Sequence, residues 1–369
     1  MIPKKNVFSS LRLRQIINDL KRRPEDAASD LKISQPIFNQ YLKGKKEIDE
    51  KFIKKAINIW PVNIADFLNP NFNKSTTYKI VRFKDSQKTS RVMQRGGKNY
   101  YEYRDTVMDR DAPFRPEWIR LLAFVKTNSP KEKTLQWNRG HLLHQLTYFV
   151  GEVNFYYIDK NKKKRTAIMN TGDSMYIAPY VPHTFASRNP NCEGYIVAIT
   201  FSDKITPNIQ NEITKFDKKF FSKVLFSNKI KAYSKVTIKK FKERKNNYSN
   251  KPLTIYQLAK NNIIPTTNFL QINVIKNNSL RLSNNYHQYI YVLSDKSKIK
   301  IQNRIMEFNK GDTIYLKPFL EYTLQSQKTK VLIAQVESLF TKDLIKQLQH
   351  IGKNNFKRLL RDNNQWFKK

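Results

Sequence analysis

The side chains best suited to metal chemistry in this chain are its histidines, of which there are only five. His141 and Gln145 lie four positions apart within NRGHLLHQL (138–146), and residues of equal parity on a strand point to the same face of a sheet. His183 follows a later apolar stretch. Two imidazoles and one oxygen donor, with other coordination positions open, are typical of mononuclear non-haem iron sites. We therefore predict that His141, Gln145 and His183 hold one metal ion.

An internal repeat surrounds these residues. The stretch NTGDSMYIAPYVPHTF (170–185) aligns with NKGDTIYLKPFLEYTL (309–324), and HQLTYFVGEVNFYY (144–157) aligns with HQYIYVLSDKSKIKI (287–301). The Gly-Asp turn, the apolar stretch after it and the proline recur at the same spacing in both copies. Recurrence of this kind indicates that one structural unit occurs twice.

The second copy serves as a control for the metal prediction. The positions that match the three predicted ligands are Asn284, Gln288 and Tyr322, so neither histidine is kept. His144, in contrast, is matched by His287. A structural role explains a histidine that is present in both copies. We therefore expect His144 to be structural and the second copy to bind no metal.

The segments that must position these residues are short, rich in β-branched and aromatic residues, and separated by turns such as NTGD (170–173). The strands predicted for the first copy are YKIVRF (78–83), YYEYRDTV (100–107), RLLAFVKT (120–127), LTYFVGEVNFYYI (146–158), TAIMN (166–170), SMYIAP (174–179) and YIVAITFS (195–202). Short strands at this spacing favour a sandwich or a barrel. The stretch that ends at His183 resembles the second motif of cupins, with a Gly-Asp pair, an apolar strand, a proline and then the histidine. In contrast, NRGHLLHQL departs from the spacing of the first cupin motif.

Residues 9 to about 68 have a helical pattern, in which Pro24 ends the first helix. A helix, a tight turn and a second helix closed by Gly44 follow, which is helix-turn-helix spacing. We predict a mainly β chain with α-helices, built from tandem helix-turn-helix-like and cupin β-barrel units, with the second barrel degenerate. The predicted domains are a helix-turn-helix-like domain (1–75), a catalytic cupin barrel (76–205), a helical segment (206–262), a degenerate barrel (263–339) and a C-terminal helical tail (340–369).

The formal net charge of +39 has two interpretations. One is a surface that binds nucleic acid. The other, which we favour, is a lysine-rich composition that runs through the whole sequence. No run of about 18 apolar residues predicts a membrane-spanning helix, and the N-terminus shows no secretory signal. The single cysteine, Cys192, cannot form an internal disulfide, which favours a reducing, cytoplasmic location.

Further residues resemble those of the phosphonate-processing non-haem iron oxygenases, and the resemblance covers nearly the whole chain. Arg95 and Tyr103 match the arginine and tyrosine that hold the phosphonate in that family, and Asn138 matches its phosphonate-binding asparagine. Lys21 matches a lysine that the helical domain contributes to the active site of a neighbouring subunit, and Lys32 is the alternative. The resemblance implies a homo-oligomer, either a dimer or a tetramer, and argues against a nucleic-acid partner.

Two positions distinguish the branches of this family. Where this sequence has Gln145, the epoxidase branch has Glu, and where it has Ile177, the dioxygenase branch has the carboxylate ligand. An amide at the first position and an aliphatic residue at the second resemble the methylphosphonate-forming branch, with Ile177 and Tyr101 in the pocket. The resemblance implies Fe(II), with 2-hydroxyethylphosphonate and O2 as substrates and methylphosphonate and bicarbonate or CO2 as products. The open alternatives are the dioxygenase reaction, which gives hydroxymethylphosphonate and formate, and a cupin-fused transcription regulator.

Overall fold

The structure is a computed structural model in which the chain divides into two compact units. The first unit is formed by 1–75 and 342–369, and the second by 76–341. The described residues are 10–67, 77–109, 112–191, 194–202, 209, 212–213, 215, 236–243, 246–250, 253–259, 267–274, 280–282, 285–325, 329–338, 344, 346–347, 349–350 and 352. No helix among these residues is both long and apolar enough to cross a membrane.

The first unit is helical in its described part. Its helices are α1 (Ser10–Asp19), α2 (Pro24–Asp30), α3 (Gln35–Leu42), α4 (Glu50–Ile59) and α5 (Ile64–Phe67). Pro24 begins α2, where a missing N–H costs no helical hydrogen bond, and the Asp49 carboxylate caps α4 by accepting a hydrogen bond from Phe52 N at 2.8 Å. Phe38 and Phe52 belong to a core that this unit buries by itself. The helices predicted between residues 9 and 68 are confirmed.

The second unit is built almost entirely from strands. Its first half contains β1 (Tyr78–Val81), α6 (Phe83–Lys88), β2 (Arg91–Arg95), β3 (Lys98–Arg104), β4 (Phe114–Leu121), β5 (His144–Val150), β6 (Val153–Ile158), β7 (Lys164–Met169), β8 (Ser174–Ile177), β9 (His183–Ser187) and β10 (Tyr195–Phe201). Its second half contains β11 (Val236–Lys239), a short 3₁₀ helix (Phe241–Glu243), β12 (Asn246–Asn250), β13 (Leu253–Gln257), β14 (Thr267–Val274), β15 (Leu280–Leu282), β16 (Tyr286–Val292), β17 (Ser297–Ile301), β18 (Arg304–Phe308), β19 (Thr313–Leu316), β20 (Tyr322–Gln325) and β21 (Lys330–Glu337). The prediction of a mainly β chain with helices is confirmed.

The strands form two β-units of matching design. The first β-unit has a seven-stranded sheet, β11-β8-β5-β10-β4-β3-β2, and a three-stranded sheet, β7-β6-β9. The second has a seven-stranded sheet, β1-β19-β16-β21-β14-β13-β12, and a four-stranded sheet, β15-β20-β17-β18. In the first, Phe149 of β5 packs on Phe185 of β9, with ring centroids 6.1 Å apart. In the second, Ile290 of β16 and Ile299 of β17 share one apolar core.

The two β-units exchange an edge strand. β1 precedes the first β-unit in sequence but pairs with β19 of the second, with Tyr78 opposite Leu316. β11 precedes the second β-unit but pairs with β8 of the first, with Val236 opposite Ile177. The strand predicted at 78–83 for the first copy therefore completes the second copy. The prediction was wrong because strands that follow one another usually lie side by side, and here they do not.

Each exchanged strand is followed by a basic residue and a phenylalanine that bind the repeated Gly-Asp turn. Asp312 accepts hydrogen bonds from Arg82 Nη1 at 2.7 Å and from Phe83 N at 2.8 Å. The equivalent contacts in the first β-unit join Asp173 to Lys240 Nζ at 2.9 Å and to Phe241 N at 2.7 Å. Hydrogen bonds to an ionised carboxylate are among the stronger ones in proteins, so these turns hold the exchanged strands in register.

Two predictions of secondary structure are wrong. The segment 206–262, predicted to be helical, contains β11, β12 and β13, and only 209, 212 and 213 among its described residues are α-helical. Its strands pair with distant partners, and this context overrides the charged, helix-like local pattern. The strand predicted at 120–127 runs instead from Phe114 to Leu121, and Pro116 is tolerated there because β3 pairs with β4 only between Trp118 and Leu121. Cys192, Asn284 and most of the C-terminal tail lie outside the described residues.

Candidate metal centre

His141 and Gln145 meet at the start of β5. Gln145 is the second residue of that strand, whereas His141 lies in the preceding loop, so the argument from strand parity was wrong for this pair. Nε2 of His141 nevertheless lies 3.2 Å from Oε1 of Gln145. The loop is held by Tyr180 N, which donates to the His141 carbonyl at 2.8 Å. A Cβ on Gly140 would lie 2.6 Å from the Tyr180 backbone, so glycine is needed for this close approach.

His183 approaches the same place from the opposite sheet. It is the first residue of β9, and its ring centroid lies 5.3 Å from that of His141, with the two planes perpendicular. Only 3% of His183 and 4% of Gln145 are exposed. The structure therefore brings the three predicted ligands together inside the first β-unit. Among the described residues no three His, Cys, Asp or Glu side chains cluster as a metal site, so a metal at this place would take an amide as its third donor.

Hydrogen bonds determine which atoms of these side chains are free to bind a metal. Nδ1 of His141 lies 2.8 Å from the Leu143 carbonyl, and Nδ1 of His183 lies 2.8 Å from the Val181 carbonyl. A carbonyl only accepts, so each Nδ1 carries the proton and each Nε2 keeps its lone pair. Nε2 of Gln145 donates at 2.8 Å to a neighbouring threonine hydroxyl, which leaves its Oε1 directed at His141. Two nitrogen lone pairs and an amide oxygen fit a divalent iron ion.

The protonation state of His183 also suits metal binding. Burial lowers the pKa of this imidazole to about 4, and the neighbouring His141 and Arg95 act in the same direction. The imidazole is therefore neutral at physiological pH, and the neutral form is the one that coordinates metals.

Asn138 connects the His141 loop to β9. Its Oδ1 accepts hydrogen bonds from Gly140 N and from His183 N, both at 2.9 Å. Its Nδ2 lies 3.1 Å from Nε2 of His183, on the side of the ring where a metal would bind. Asn138 thus presents an amide donor next to the candidate centre, where it can hydrogen-bond an anionic ligand.

A cation and two tyrosines line the interior beside the centre. Arg95 ends β2, and its guanidinium carbon lies 4.9 Å from the centroid of the Tyr101 ring. The Tyr101 hydroxyl lies 3.2 Å from Oγ1 of Thr184 on β9. Tyr103 shares this face of β3, and its ring centroid lies 6.1 Å from that of Tyr101. Burial raises the pKa of Tyr103 to about 12, so its hydroxyl keeps its proton and can donate.

Ile177 forms an apolar wall next to the Gln145 amide. It lies directly opposite Gln145 in the pairing of β5 with β8, and it is fully buried. Residues opposite one another in an antiparallel pair share a face. The position beside Gln145 therefore offers hydrocarbon and no second oxygen ligand, which leaves the candidate ligand set without a negative charge.

No protein-family model matches the chain. The methylphosphonate synthase of Nitrosopumilus maritimus is 34% identical to it, over 95% of this chain and 94% of that protein. The chain belongs to the methylphosphonate synthase family. Members of this group are phosphonate-processing non-haem iron oxygenases. The (S)-2-hydroxypropylphosphonic acid epoxidase of Streptomyces wedmorensis is 28% identical over 28% of this chain and 50% of that protein.

Solved structures extend the family likeness to the fold. The 2-hydroxyethylphosphonate dioxygenase of Streptomyces albus, with its substrate and Fe(II) bound, matches with a TM-score of 0.83 and 26% identity, over 95% of this chain and 96% of that one. The structure of PhpD with cadmium matches with a TM-score of 0.69 and 14% identity, over 96% of this chain and 99% of that one, which shows the fold alone. This methylphosphonate synthase family member therefore shares the fold of such enzymes along nearly its whole length.

The histidine that both copies share makes the same contact in each. Nδ1 of His144 lies 2.8 Å from the Tyr176 hydroxyl, and Nδ1 of His287 lies 2.7 Å from the Tyr315 hydroxyl. This shared contact supports the prediction that His144 is structural.

The second copy has a different interior at the place of the candidate centre. The Tyr322 hydroxyl, at the position of His183, donates to Oε1 of Gln288 at 2.8 Å. Gln335 Nε2 donates to the same oxygen at 2.9 Å. The amide oxygen that corresponds to Oε1 of Gln145 is therefore already hydrogen-bonded to two side chains.

Lys21 and Lys32 lie in the helical unit, in the exposed turns after α1 and α2. Both have a positive φ, of 55° for Lys21 and 47° for Lys32.

Sequence reasoning missed Glu117, a partly buried acid on β4. The one available signal was an acid within FRPEWIRL, and a single charge on a half-buried strand usually faces solvent.

Proposed function

We propose that this protein is an Fe(II)-dependent oxygenase that converts 2-hydroxyethylphosphonate and O2 to methylphosphonate and bicarbonate (or CO2) by cleaving the carbon–carbon bond. The observation that carries this proposal is the placement of Gln145 directly opposite Ile177. Neither position offers the carboxylate ligand that the sequence resemblance assigns to the epoxidase and dioxygenase branches. The atoms of 2-hydroxyethylphosphonate and O2 equal those of methylphosphonate and carbonic acid, so the reaction needs no external reductant.

In this proposal Nε2 of His141, Oε1 of Gln145 and Nε2 of His183 hold the iron. Iron(II) supplies the one-electron and oxygen chemistry that amino-acid side chains lack. A neutral glutamine leaves more positive charge at the site than a carboxylate would, which strengthens the attraction for an anionic substrate. Ile177 keeps water away from the side of the site next to Gln145.

The phosphonate group of the substrate binds to donors around the iron. Arg95 offers two parallel N–H groups, the geometry that suits bidentate contact with a phosphonate. Asn138 Nδ2 and the protonated Tyr103 hydroxyl add neutral donors that orient the anion. Tyr101 supports this arrangement because its ring packs against the Arg95 guanidinium and its hydroxyl contacts β9.

We further propose that Lys21 reaches the iron site of a neighbouring subunit, so that the active form is a dimer or a tetramer. An ammonium group there would offset the negative charge of the bound substrate. Lys32 is the alternative residue for this role. The proposed location is the cytoplasm, because a sequence with one cysteine suits a reducing compartment.

Phosphorus NMR of the reaction products tests the proposed reaction. The protein is loaded with iron under anaerobic conditions and then given 2-hydroxyethylphosphonate and O2. We expect methylphosphonate as the main new signal. Hydroxymethylphosphonate together with formate would assign the dioxygenase reaction, and would show that an aliphatic residue at Ile177 does not determine the product. No new phosphorus signal from the iron-loaded protein would refute the substrate.

A further inference from the structure

Glu117 is a carboxylate in the interior of the first β-unit that the proposed site does not use. It lies on β4 directly opposite Ala198 of β10, and Ala198 lies directly opposite Thr147 of β5. Residues opposite one another in antiparallel strands share a face of the sheet. Thr147 is also the residue whose hydroxyl accepts the hydrogen bond from the Gln145 amide, at 2.8 Å. Glu117 therefore faces the interior that contains the candidate metal centre.

The distance between Glu117 and Gln145 leaves room for a small ligand. With about 4.8 Å between strands and about 3.3 Å per residue along them, their Cα atoms lie about 12 Å apart. Side chains on one face of a sheet stand roughly perpendicular to it, so this separation leaves room between them for a small ligand such as a two-carbon phosphonate. Ala198, the residue between Glu117 and Thr147, is fully buried and contributes only a methyl group. The row of residues formed by Glu117, Ala198 and Thr147 therefore contributes little bulk beside Glu117.

The second β-unit has apolar side chains at the positions equivalent to Glu117 and Ala198. Strands β14 and β21 occupy the positions in the second β-unit that β4 and β10 occupy in the first. Leu270 lies directly opposite Ile333 in β14 and β21, as Glu117 lies opposite Ala198. Leu270 therefore takes the place of Glu117, and Ile333 takes the place of Ala198. Ile333 lies in the apolar core of that unit, and Leu270 packs against it. The acid and the alanine thus occur in the copy that has both histidines, and are absent from the copy that has lost them. This association indicates a ligand-binding role, because folding alone is served by leucine and isoleucine.

The surroundings of Glu117 favour its neutral form. No described residue donates a hydrogen bond to its carboxylate. The charged or titratable groups that face it from the packed strands are Arg91 and Arg95 on β2, Tyr103 on β3, Arg115 on β4, and Tyr157 and His183 across the interior. Arg91 is paired with Asp105 at 2.7 Å. Burial raises the pKa of Glu117, and the charge of Arg91 offsets this only in part.

We propose that Glu117 is a substrate-binding residue that donates a hydrogen bond, as the neutral acid, to a phosphonate oxygen. The inference rests on the proposed function and adds a donor beside Tyr103. An ionised carboxylate would repel the phosphonate, so binding of the anion itself favours the protonated acid. A carboxylic acid that stays neutral in an apolar site in order to donate is a known way for enzymes to stabilise oxyanions.

The test compares Glu117→Gln with Glu117→Leu in the iron-loaded, full-length enzyme. Glutamine keeps a neutral donor of the same length, so we expect a KM for 2-hydroxyethylphosphonate within about threefold of the wild type. Leucine removes the donor, and the loss of a hydrogen bond to a charged group should raise KM about 10-fold to 100-fold. As the pH rises, wild-type kcat/KM should fall when Glu117 loses its proton, and Glu117→Gln should lack that decrease. Titration of the substrate is common to both enzymes and cancels in their ratio.

Glu102 provides a matched control. It lies on β3 beside Tyr103 but on the opposite face, where it pairs with Arg104 at 2.6 Å. Glu102→Gln should lower thermal stability and leave KM and the pH profile unchanged. A Glu117→Gln variant as impaired as Glu117→Leu, or a Glu117→Leu variant with unchanged KM, would overturn the inference. If the substrate binds with this dependence on Glu117 but another product forms, the proposed reaction fails and the inference stands.

Discussion

Acidification of the iron-free protein should reveal the burial of His183. The pKa of this imidazole falls from 6.5 to about 4 on folding, mainly because burial disfavours its charged form. As the pH decreases, the unfolded chain binds the proton first. Stability that is fully present above pH 6.5 is therefore lost as the pH falls toward 4. At about 1.4 kcal/mol per pH unit, the complete loss is about 3 kcal/mol, of which about 2 kcal/mol falls between about pH 7.5 and pH 5.

Urea unfolding measures this loss of stability. The iron-free wild type and His183→Gln are unfolded at about pH 7.5 and about pH 5, and unfolding is followed by tryptophan fluorescence. The free energy of unfolding of the wild type relative to the variant should be about 2 kcal/mol smaller at the lower pH, because the other titrating groups are common to both proteins. His350→Gln, which removes an exposed histidine, is the control and should follow the wild type. If the difference between the wild type and His183→Gln is the same at both pH values, His183 is not held as a buried neutral imidazole.

Three other substitutions probe other parts of the structure. Ala198→Leu should retain iron but weaken binding of 2-hydroxyethylphosphonate at least about tenfold in anaerobic calorimetry, because leucine adds bulk beside Glu117, where we propose that the substrate binds; unchanged affinity would contradict this location for the substrate. Gly311→Ala should lower the free energy of unfolding by about 1–3 kcal/mol more than Gly97→Ala, since both glycines have a positive φ but only a Cβ on Gly311 would overlap the Phe83 ring. Equal losses in urea unfolding would show that Phe83 does not pack on this turn. Mixed oligomers of Lys21→Ala and His183→Ala chains should regain part of the activity, and inactive mixed oligomers would show that Lys21 does not act across subunits.

The features that local patterns determine could be predicted from the sequence. Helices α1 to α4 follow from apolar periodicity and from breakers such as Pro24. The comparison of the two copies predicts a structural role for His144, which agrees with its contact with Tyr176. It also distinguishes His183, because the second copy has Tyr322 at that position.

The features that depend on distant pairing could not be predicted. The exchange of β1 and β11 leaves no local signal, because each strand finds its partner in the other copy. Strand parity does not account for the pairing of His141 with Gln145, since a loop anchored by Gly140 and Tyr180 brings the two together. The interior position of Glu117 depends on its pairing with Ala198 of β10, which the sequence around Glu117 does not indicate.

Iron content is the most direct measure of whether the first β-unit, and not the second, holds the metal. We expect the anaerobically loaded wild type to contain about one iron ion per chain, because the first copy brings two imidazoles and an amide oxygen together, whereas the second copy has Tyr322 at the position of His183. Metal analysis should show that His183→Ala loses this iron, whereas Tyr322→Ala, the equivalent change in the second β-unit, keeps it. Full iron content and activity in His183→Ala, or loss of iron from Tyr322→Ala, would contradict the assignment of His141, Gln145 and His183 as the metal centre.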